Sequence, residues 1–152
     1  CIRAHLKSKR YTHKPGEKSD DSLAEPRMPM QQLSSDTMVV SKEHDGEKAA
    51  ADGSVVCHTI RDRHSGLGLA YSQERRTQDN NYHNFKQFAG LIPSRCPDVL
   101  VRSDAAKELT NAVSQLGWHT ESSLENRWPH NTEHERWHGT LKSVIRANML
   151  QA

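Results

Sequence analysis

The order of its apolar segments most constrains how this chain can fold. Runs of alternating or β-branched residues lie around 33–40, 54–60 and 67–71 and predict three strands. The turn residues at 61–66 join the second and third runs and favour an antiparallel meander. A helix, a fourth strand, a second helix, a fifth strand and a last helix follow. The order β-β-β-α-β-α-β-α predicts an α/β fold with a mixed five-stranded sheet flanked by helices.

Several boundaries of the later elements can be predicted from single residues. Thr77 is suited to cap the first helix, and residues 98–102 form the short apolar run typical of a buried parallel strand. The second helix is predicted to open at Asp104, and residues 118–121 predict the fifth strand. The last helix is predicted from Thr132 onward. Its apolar face would consist of Trp137, Leu141, Val144, Ile145 and Met149.

Composition limits the classes of protein to consider. The 152 residues suit one domain, and no apolar run approaches the roughly 18 residues of a membrane-spanning helix. Three scattered cysteines predict free thiols rather than a disulfide framework. Residues 1–18 carry six basic side chains and one acidic one, a charge of +5, whereas the whole chain is +2. This basic arm could attract nucleic acid, but the remaining residues sum to −3 and would need metal-holding carboxylates to approach DNA.

Three acidic residues lie where an open α/β sheet gathers functional side chains. Asp36 is in or beside the first strand, Asp104 lies at the carboxyl end of the fourth, and Glu135 is in the first turns of the last helix. Each also has a purely structural interpretation. Asp104 could cap its helix, Glu135 could complement a helix N-terminus, and Asp36 could be a solvated residue at a strand edge.

Four segments together carry a resemblance to a known family. Residues 35–40 place an aspartate in the first strand, and residues 60–66 contain an Asp-x-x-Ser turn. Residues 102–109 read Arg-Ser-Asp-Ala-Ala-Lys-Glu-Leu, and residues 129–136 read Pro-His-Asn-Thr-Glu-His-Glu-Arg. In this order the segments resemble the catalytic core of the retroviral and retrotransposon integrase superfamily, and the copia-type retroelement polyproteins in particular.

The resemblance implies a ribonuclease H-like fold and a polynucleotidyl transferase. Asp36, Asp104 and Glu135 would be both the catalytic residues and the ligands of two Mg²⁺ or Mn²⁺ ions. Asp36 would bridge both ions, while Asp104 and Glu135 would each complete one site. The reactions implied are 3′-end processing of element DNA, an endonuclease step, and strand transfer into target DNA.

The resemblance also implies partners, a location and a domain division. The partners would be the element's DNA ends, target DNA, further copies of the chain and other polyprotein domains, among them a reverse transcriptase. The place of action would be the nucleus, after a cytoplasmic particle stage. Residues 1–30 would be a basic linker preceded by the end of a zinc-binding module, with Cys1 its last ligand, and residues 31–152 the catalytic core. The chain departs from the family at Ala105-Ala106, where Asn-Gly is usual, and in a short spacing between Asp104 and Glu135.

The last helix adds candidate DNA contacts. Lys142 and Arg146 lie 7 and 11 residues after Glu135, on the same helix face, and are predicted to contact DNA. Arg136 and Lys107 are further candidates. The alternative is a solvated amphipathic helix whose charges have no ligand.

Other functions remain open from the sequence. The fold could belong to an inactive nucleic-acid-binding remnant, or to a nuclease acting on RNA–DNA hybrids. Residues 134–138 also spell His-Glu-x-x-His, which in zinc metalloproteases binds zinc through both histidines. That reading lacks a third ligand, because no Asp or Glu follows Glu135. We therefore expect His130, His134 and His138 to be surface residues.

Overall fold

A computed structural model gives the fold for most of the predicted core. It describes residues 25–39, 53–91, 98–122 and 132–151, with side chains in the last range described for 134–144. The predicted linker and zinc-module remnant at 1–30 therefore lie largely outside the described residues. Within those ranges no helix has the length and apolarity needed to cross a membrane.

The described residues form five strands and three helices in the predicted order. The elements are β1 (Gln32–Val39), β2 (Val56–Asp62), β3 (Gly68–Gln73), α1 (Gln78–Leu91), β4 (Leu100–Ser103), α2 (Lys107–Gln115), β5 (His119–Ser122) and α3 (Thr132–Gln151). The predicted α/β class and its mixed sheet are thus confirmed. Thr77 caps α1 as expected, because its hydroxyl oxygen accepts the Asn80 backbone N–H at 3.2 Å.

The strands form one sheet in the order β3-β2-β1-β4-β5. β1 pairs antiparallel with β2 and parallel with β4, and β4 pairs parallel with β5. β1 is therefore an interior strand, and Asp36 is not a residue of a sheet edge. Because β2 reverses the chain once, β1, β3 and β4 all end at the same side of the sheet.

One face of the sheet forms the apolar core with α1 and α2. Leu33, Ile60 and Val101 from three neighbouring strands are completely buried there. They pack against a set contributed by the two helices: Phe85, Phe88, Leu109, Ala112 and Val113. This face is where the chain's limited apolar content is concentrated.

The opposite face is polar and is covered by α3. Its side chains follow from the alternation along each strand, with Ser34 paired to Arg61 and Asp36 paired to Thr59. Gly68 on β3 leaves room for the ring of Trp137 on α3, since a Cβ at this glycine would lie 2.5 Å from Trp137 Cζ2. The helix carrying Glu135 therefore rests on small and polar residues.

The predicted Asp-x-x-Ser turn is confirmed in detail. The buried Asp62 carboxylate accepts the Ser65 backbone N–H at 2.8 Å and also the Ser65 hydroxyl. Its other oxygen accepts the backbone N–H of Met30 at 3.0 Å. Met30 has a φ of 68°, an unusual conformation for a residue with a side chain, and this bond helps to hold it. Asp62 is thus a structural carboxylate, which joins the β2–β3 turn to the entry of β1.

The predicted start of α2 is wrong by three residues. The helix begins at Lys107, with Ala106 at the N-cap and no side-chain capping bond. Asp104 lies exposed between β4 and α2 and does not cap the helix. The β4 chain stays extended through Ser103, so the second acidic residue follows directly from a strand end.

The predicted buried face of α3 is partly wrong. His134 and His138 are buried and Trp137 and Leu141 are half-buried, whereas Val144 is 51% exposed. The side chains of Ile145 and Met149 lie outside the described set. The sheet face under α3 carries hydroxyl groups, which can hydrogen-bond to imidazoles but not to aliphatic side chains. The side of α3 that packs on the sheet is therefore the side of His134 and His138, which hydrophobicity does not predict.

Candidate active site

The strand register brings Asp36 and Asp104 together. Ser34 on β1 is the partner of Arg102 on β4 in the parallel pair. Two residues further along each chain are Asp36, within β1 and just beyond its last pair with β4, and Asp104, just after the carboxyl end of β4, where ligand sites of α/β sheets form. Asp104 is exposed, and the side chain of Asp36 is 38% exposed.

Docking of α3 places Glu135 at the same end of the sheet. The preceding residue, His134, is hydrogen-bonded through its Nδ1 to the hydroxyl of Ser34 at 2.8 Å. Ser34 lies two residues before Asp36 on β1. Glu135 itself is exposed. Its charge acts on Asp36, and so does that of Asp104. The structure therefore gathers the three predicted acidic residues into one electrostatic neighbourhood, although each comes from a different element.

Asp36 is the acidic residue of this group whose pKa is clearly shifted. Its pKa is raised from 3.8 to about 6, chiefly by burial and to a smaller extent by the charges of Asp104 and Glu135. The Thr37 backbone N–H, which donates to Asp36 Oδ1 at 2.7 Å, and the Arg76 charge act in the opposite direction. Unpaired carboxylates that repel one another provide a favourable place for a divalent cation.

The three acidic residues are suitable metal ligands by type, but their side chains are not arranged as a metal site in this structure. Hard divalent ions prefer carboxylate oxygens, and the three acidic residues supply them. Within the described ranges, however, no three His, Cys, Asp or Glu side chains lie close enough to hold one ion together. A bound ion would therefore have to draw the Asp36, Asp104 and Glu135 carboxylates closer than they lie in this structure.

His134 and His138 are not surface residues, so the prediction is wrong for these two, while His130 lies outside the described residues. They are 1% and 9% exposed. With Ser34 and Thr59 they form a hydroxyl–imidazole cluster, in which the Thr59 hydroxyl lies 3.0 Å from His134 Nε2 and 2.6 Å from His138 Nε2. His138 Nδ1 lies 3.6 Å from Asp36 Oδ2. The cluster thus reaches the candidate metal ligand directly.

These contacts bear on the zinc-protease alternative. Both ring nitrogens of His134 are hydrogen-bonded to hydroxyl groups of the sheet, and His138 Nε2 is bonded to the same threonine. Both imidazoles point into the protein. The geometry gives the His-Glu-x-x-His segment a packing role that does not involve a zinc ligand set.

That the four predicted basic residues contact DNA stays a prediction. Lys142, Arg136 and Lys107 are exposed, and the Lys142 charge acts on His138. The side chain of Arg146 lies outside the described set. Arg76 was not among the predicted basic residues of the site. It is an exposed residue of the β3–α1 connection, and its charge lowers the pKa of Asp36. Its position after β3, which ends on the same side as β1, is visible only once the strand directions are known.

The buried histidines predict a loss of stability in mild acid. Burial lowers the pKa of His58 and of His134 from 6.5 to about 3, and it also lowers the pKa of His138. The folded chain therefore binds fewer protons than the unfolded chain, and stability present above pH 6.5 is lost as the pH falls toward 3. Each histidine changes the free energy of unfolding by up to about 1.4 kcal/mol per pH unit, and Asp36 offsets part of this. We expect a net loss of about 2 kcal/mol between pH 7 and pH 5.5, measured by urea unfolding.

A matched pair of variants isolates the cause. His134→Gln should flatten this pH dependence, whereas His83→Gln, at an exposed position of α1, should leave it unchanged. Equal slopes for the parent and His134→Gln would contradict the assignment.

Comparison with known proteins gives a structural match without a sequence match. No protein-family model and no curated protein sequence matches the chain. A chain of the simian T-cell lymphotropic virus intasome, solved by cryo-electron microscopy in complex with the PP2A regulatory subunit B56 gamma, has a TM-score of 0.66 at 14% identity. The match covers 86% of this chain and 45% of that one, so this chain spans less than half of the intasome chain.

Two integrase core domains give similar results. The HTLV-2 integrase catalytic core domain in complex with magnesium, in a trimeric form, matches with a TM-score of 0.59 at 13% identity, over 83% of this chain and 76% of that one. The catalytic core domain of BIV integrase matches with a TM-score of 0.55 at 16% identity, over 81% and 74%. At such low identity these likenesses establish the fold alone. The chain has the ribonuclease H-like fold of retroviral integrase catalytic cores.

Proposed function

We propose that this chain is the catalytic core of a retroelement integrase, a metal-dependent polynucleotidyl transferase that acts on DNA. The observation that carries the proposal is the electrostatic coupling of Asp36 in β1 to Asp104, just after the carboxyl end of β4, and to Glu135 on α3, in an integrase-like fold. One of the similar structures is an integrase core in complex with magnesium. Carboxylates in these positions suit the same ion here.

The carboxylates of Asp36, Asp104 and Glu135 would hold two Mg²⁺ or Mn²⁺ ions. When bound, such ions neutralise charge on a phosphodiester and lower the pKa of an attacking oxygen. The Thr37 N–H holds this carboxylate by donating to Asp36 Oδ1 at 2.7 Å, and Oδ2 lies 3.6 Å from His138 Nδ1. The chain's own contribution is to fix these oxygens at one end of the sheet.

The proposed chemistry is two phosphoryl transfers without a covalent enzyme intermediate. In the first, a water oxygen bonds to phosphorus and the bond to the departing 3′ oxygen breaks, leaving a free 3′-OH on the element DNA. In the second, that 3′-OH bonds to a phosphorus of target DNA and displaces the 3′ oxygen there. The number of phosphodiester bonds is conserved in the second step, so it needs no energy source.

The proposal includes DNA contacts, partners and a location. Lys142, Arg146, Arg136 and Lys107 would contact DNA phosphates around the acidic residues. The chain would act in the nucleus as one of several copies, together with other domains of a polyprotein. Two similar structures are an intasome and a trimeric core domain, which is consistent with action in an assembly. A copia-type origin and the preceding zinc module belong to the same proposal.

A second candidate is an inactive nucleic-acid-binding remnant of this fold. It is favoured by the spacing of the carboxylates, because no three His, Cys, Asp or Glu side chains of the described ranges lie close enough to hold one ion. Such a chain would bind DNA but neither process nor transfer it.

Strand transfer separates the two candidates. We expect the parent chain to join an oligonucleotide with a recessed 3′-OH to target DNA in Mg²⁺ or Mn²⁺. Asp104→Asn and Glu135→Gln should each lower the rate by at least about 10²-fold, as expected when a metal ligand is lost. Asp79→Asn changes an exposed carboxylate on α1 and should retain parental activity.

The outcomes are distinct. Loss of activity in both site variants, with Asp79→Asn active, supports the integrase proposal. Equal activity in parent and site variants contradicts it. A parent that binds DNA but transfers no strand, with or without its partner domains, supports the inactive remnant.

A further inference from the structure

Thr59 lies at the centre of the hydroxyl–imidazole cluster between the sheet and α3. Its hydroxyl donates to the backbone carbonyl oxygen of Asp36 at 2.9 Å and also contacts His134 Nε2 and His138 Nε2. Thr59 is 0% exposed. Buried polar groups of this kind are stable when every donor meets an acceptor, so the hydrogen positions can be assigned.

The assignment follows from counting protons. The Thr59 hydroxyl has one proton, and the Asp36 carbonyl oxygen can only accept it. The threonine oxygen must then accept from both imidazoles, so His134 and His138 each carry their proton on Nε2. His134 Nδ1 is left as an acceptor for the Ser34 hydroxyl at 2.8 Å. In this arrangement both histidines are neutral, and His138 Nδ1 is left unprotonated 3.6 Å from Asp36 Oδ2, beyond hydrogen-bond distance.

This cluster joins the backbone of Asp36 to two successive turns of α3. His134 and His138 are four residues apart and lie on one helix face. Two directional bonds to a single oxygen fix both the rotation of the helix and its position along its axis, which an apolar contact would fix less strictly. Glu135 is the residue after His134, so its direction is set by the same bonds.

We propose that Thr59 is a positioning residue for the candidate metal site. Its hydroxyl holds α3 through His134 and His138 so that Glu135 faces Asp36. This inference rests on the proposed function for its metal, and on the described contacts alone for its geometry. Thr59 itself contacts no metal or DNA.

Two substitutions at Thr59 test the proposal. Thr59→Val keeps the shape of the side chain but removes the hydroxyl, whereas Thr59→Ser keeps the hydroxyl. Thr140→Val is the matched control, because Thr140 is an exposed residue of α3 whose hydroxyl bonds to the Arg136 carbonyl oxygen. Ser34→Ala removes only the outer bond of the cluster and serves as a milder variant if Thr59→Val does not fold.

Three readouts apply to the full chain. Nitrogen NMR of the parent at pH 7 should find His134 and His138 in the Nε2–H form. Amide hydrogen exchange in α3 should accelerate about tenfold in Thr59→Val, while the central strands stay protected, and should return to the parental rate in Thr59→Ser. Calorimetry with Mg²⁺ should find affinity weakened about tenfold in Thr59→Val and within about twofold of the parent in Thr59→Ser and Thr140→Val.

Each contrary result is informative. An Nδ1–H form of either histidine, or unchanged exchange of α3 in Thr59→Val, overturns the proposal. Loosened α3 with unchanged Mg²⁺ affinity overturns the positioning role and leaves a purely structural one. If the parent binds no Mg²⁺, the proposed function fails, and exchange in α3 still decides whether Thr59 sets the helix position.

Discussion

Replacing Asp36 with asparagine is expected to abolish strand transfer and to make the metal-free chain more stable at pH 7. Asparagine keeps the bond from the Thr37 N–H but cannot supply a shared anionic ligand, so the rate should fall by ~10³-fold or more. The pKa of Asp36 is raised from 3.8 to about 6 in the folded chain, so a charged Asp36 opposes folding above pH 6.

The stability gain should depend on pH. After allowance for a side chain that is 38% exposed, we expect about 1 kcal/mol, or a Tm increase of about 2–4 °C in EDTA at pH 7. The gain should vanish as the pH falls from 6 toward 3.8, where Asp36 is protonated. Thermal unfolding of both chains across this range measures it. A variant less stable than the parent at pH 7 would contradict the assigned cost of burying this charge beside Asp104 and Glu135.

Replacing Gly68 with alanine is expected to displace α3 from the sheet. The added Cβ would lie 2.5 Å from Trp137 Cζ2 and 2.7 Å from Trp137 Cε2, so the indole and its helix must move. Overpacking of this kind costs about 1–3 kcal/mol. We expect that loss in urea unfolding, faster amide exchange in α3, and a fall in strand transfer because Glu135 moves with the helix.

Two comparisons make this prediction specific. Gly139→Ala lies on the exposed face of α3, where a Cβ meets no atom within 4 Å, and it should be neutral or stabilising by up to about 1 kcal/mol. Trp137→Leu should relieve the clash, so the double variant should be more stable than the sum of the two single changes predicts. Simple additivity would contradict the assigned contact.

The element order was predictable because its signals are local. The strand runs, the Thr77 cap and the Asp62-x-x-Ser65 turn each depend on residues close together in the chain, and all three are found. The positions of Asp36 in the first strand and of Asp104 at the carboxyl end of the fourth followed from the same patterns. The start of α2 was predicted wrongly because Asp104 is a common capping residue, yet the chain here stays extended past it.

The docking of α3 could not be predicted because its partners are distant in sequence. His134 and His138 count as polar in any hydrophobic pattern, and the hydroxyls that they bind come from Ser34 and Thr59, 100 and 75 residues from His134. A signal was present in the spacing of His134, Trp137, His138 and Leu141, which is that of one helix face. This spacing predicts the buried side of α3 only once the facing side of the sheet is known to be polar.

Substoichiometric Mn²⁺ added to the nitrogen-labelled full chain tests the central claim, one metal site shared by three elements, most directly. Paramagnetic broadening falls steeply with distance from the ion, so the amide signals of residues near Asp36, Asp104 and Glu135 should disappear first and together. Asp36→Asn should remove the effect, and Asp79→Asn should not. Broadening centred elsewhere, or confined to one of the three elements, would contradict the account.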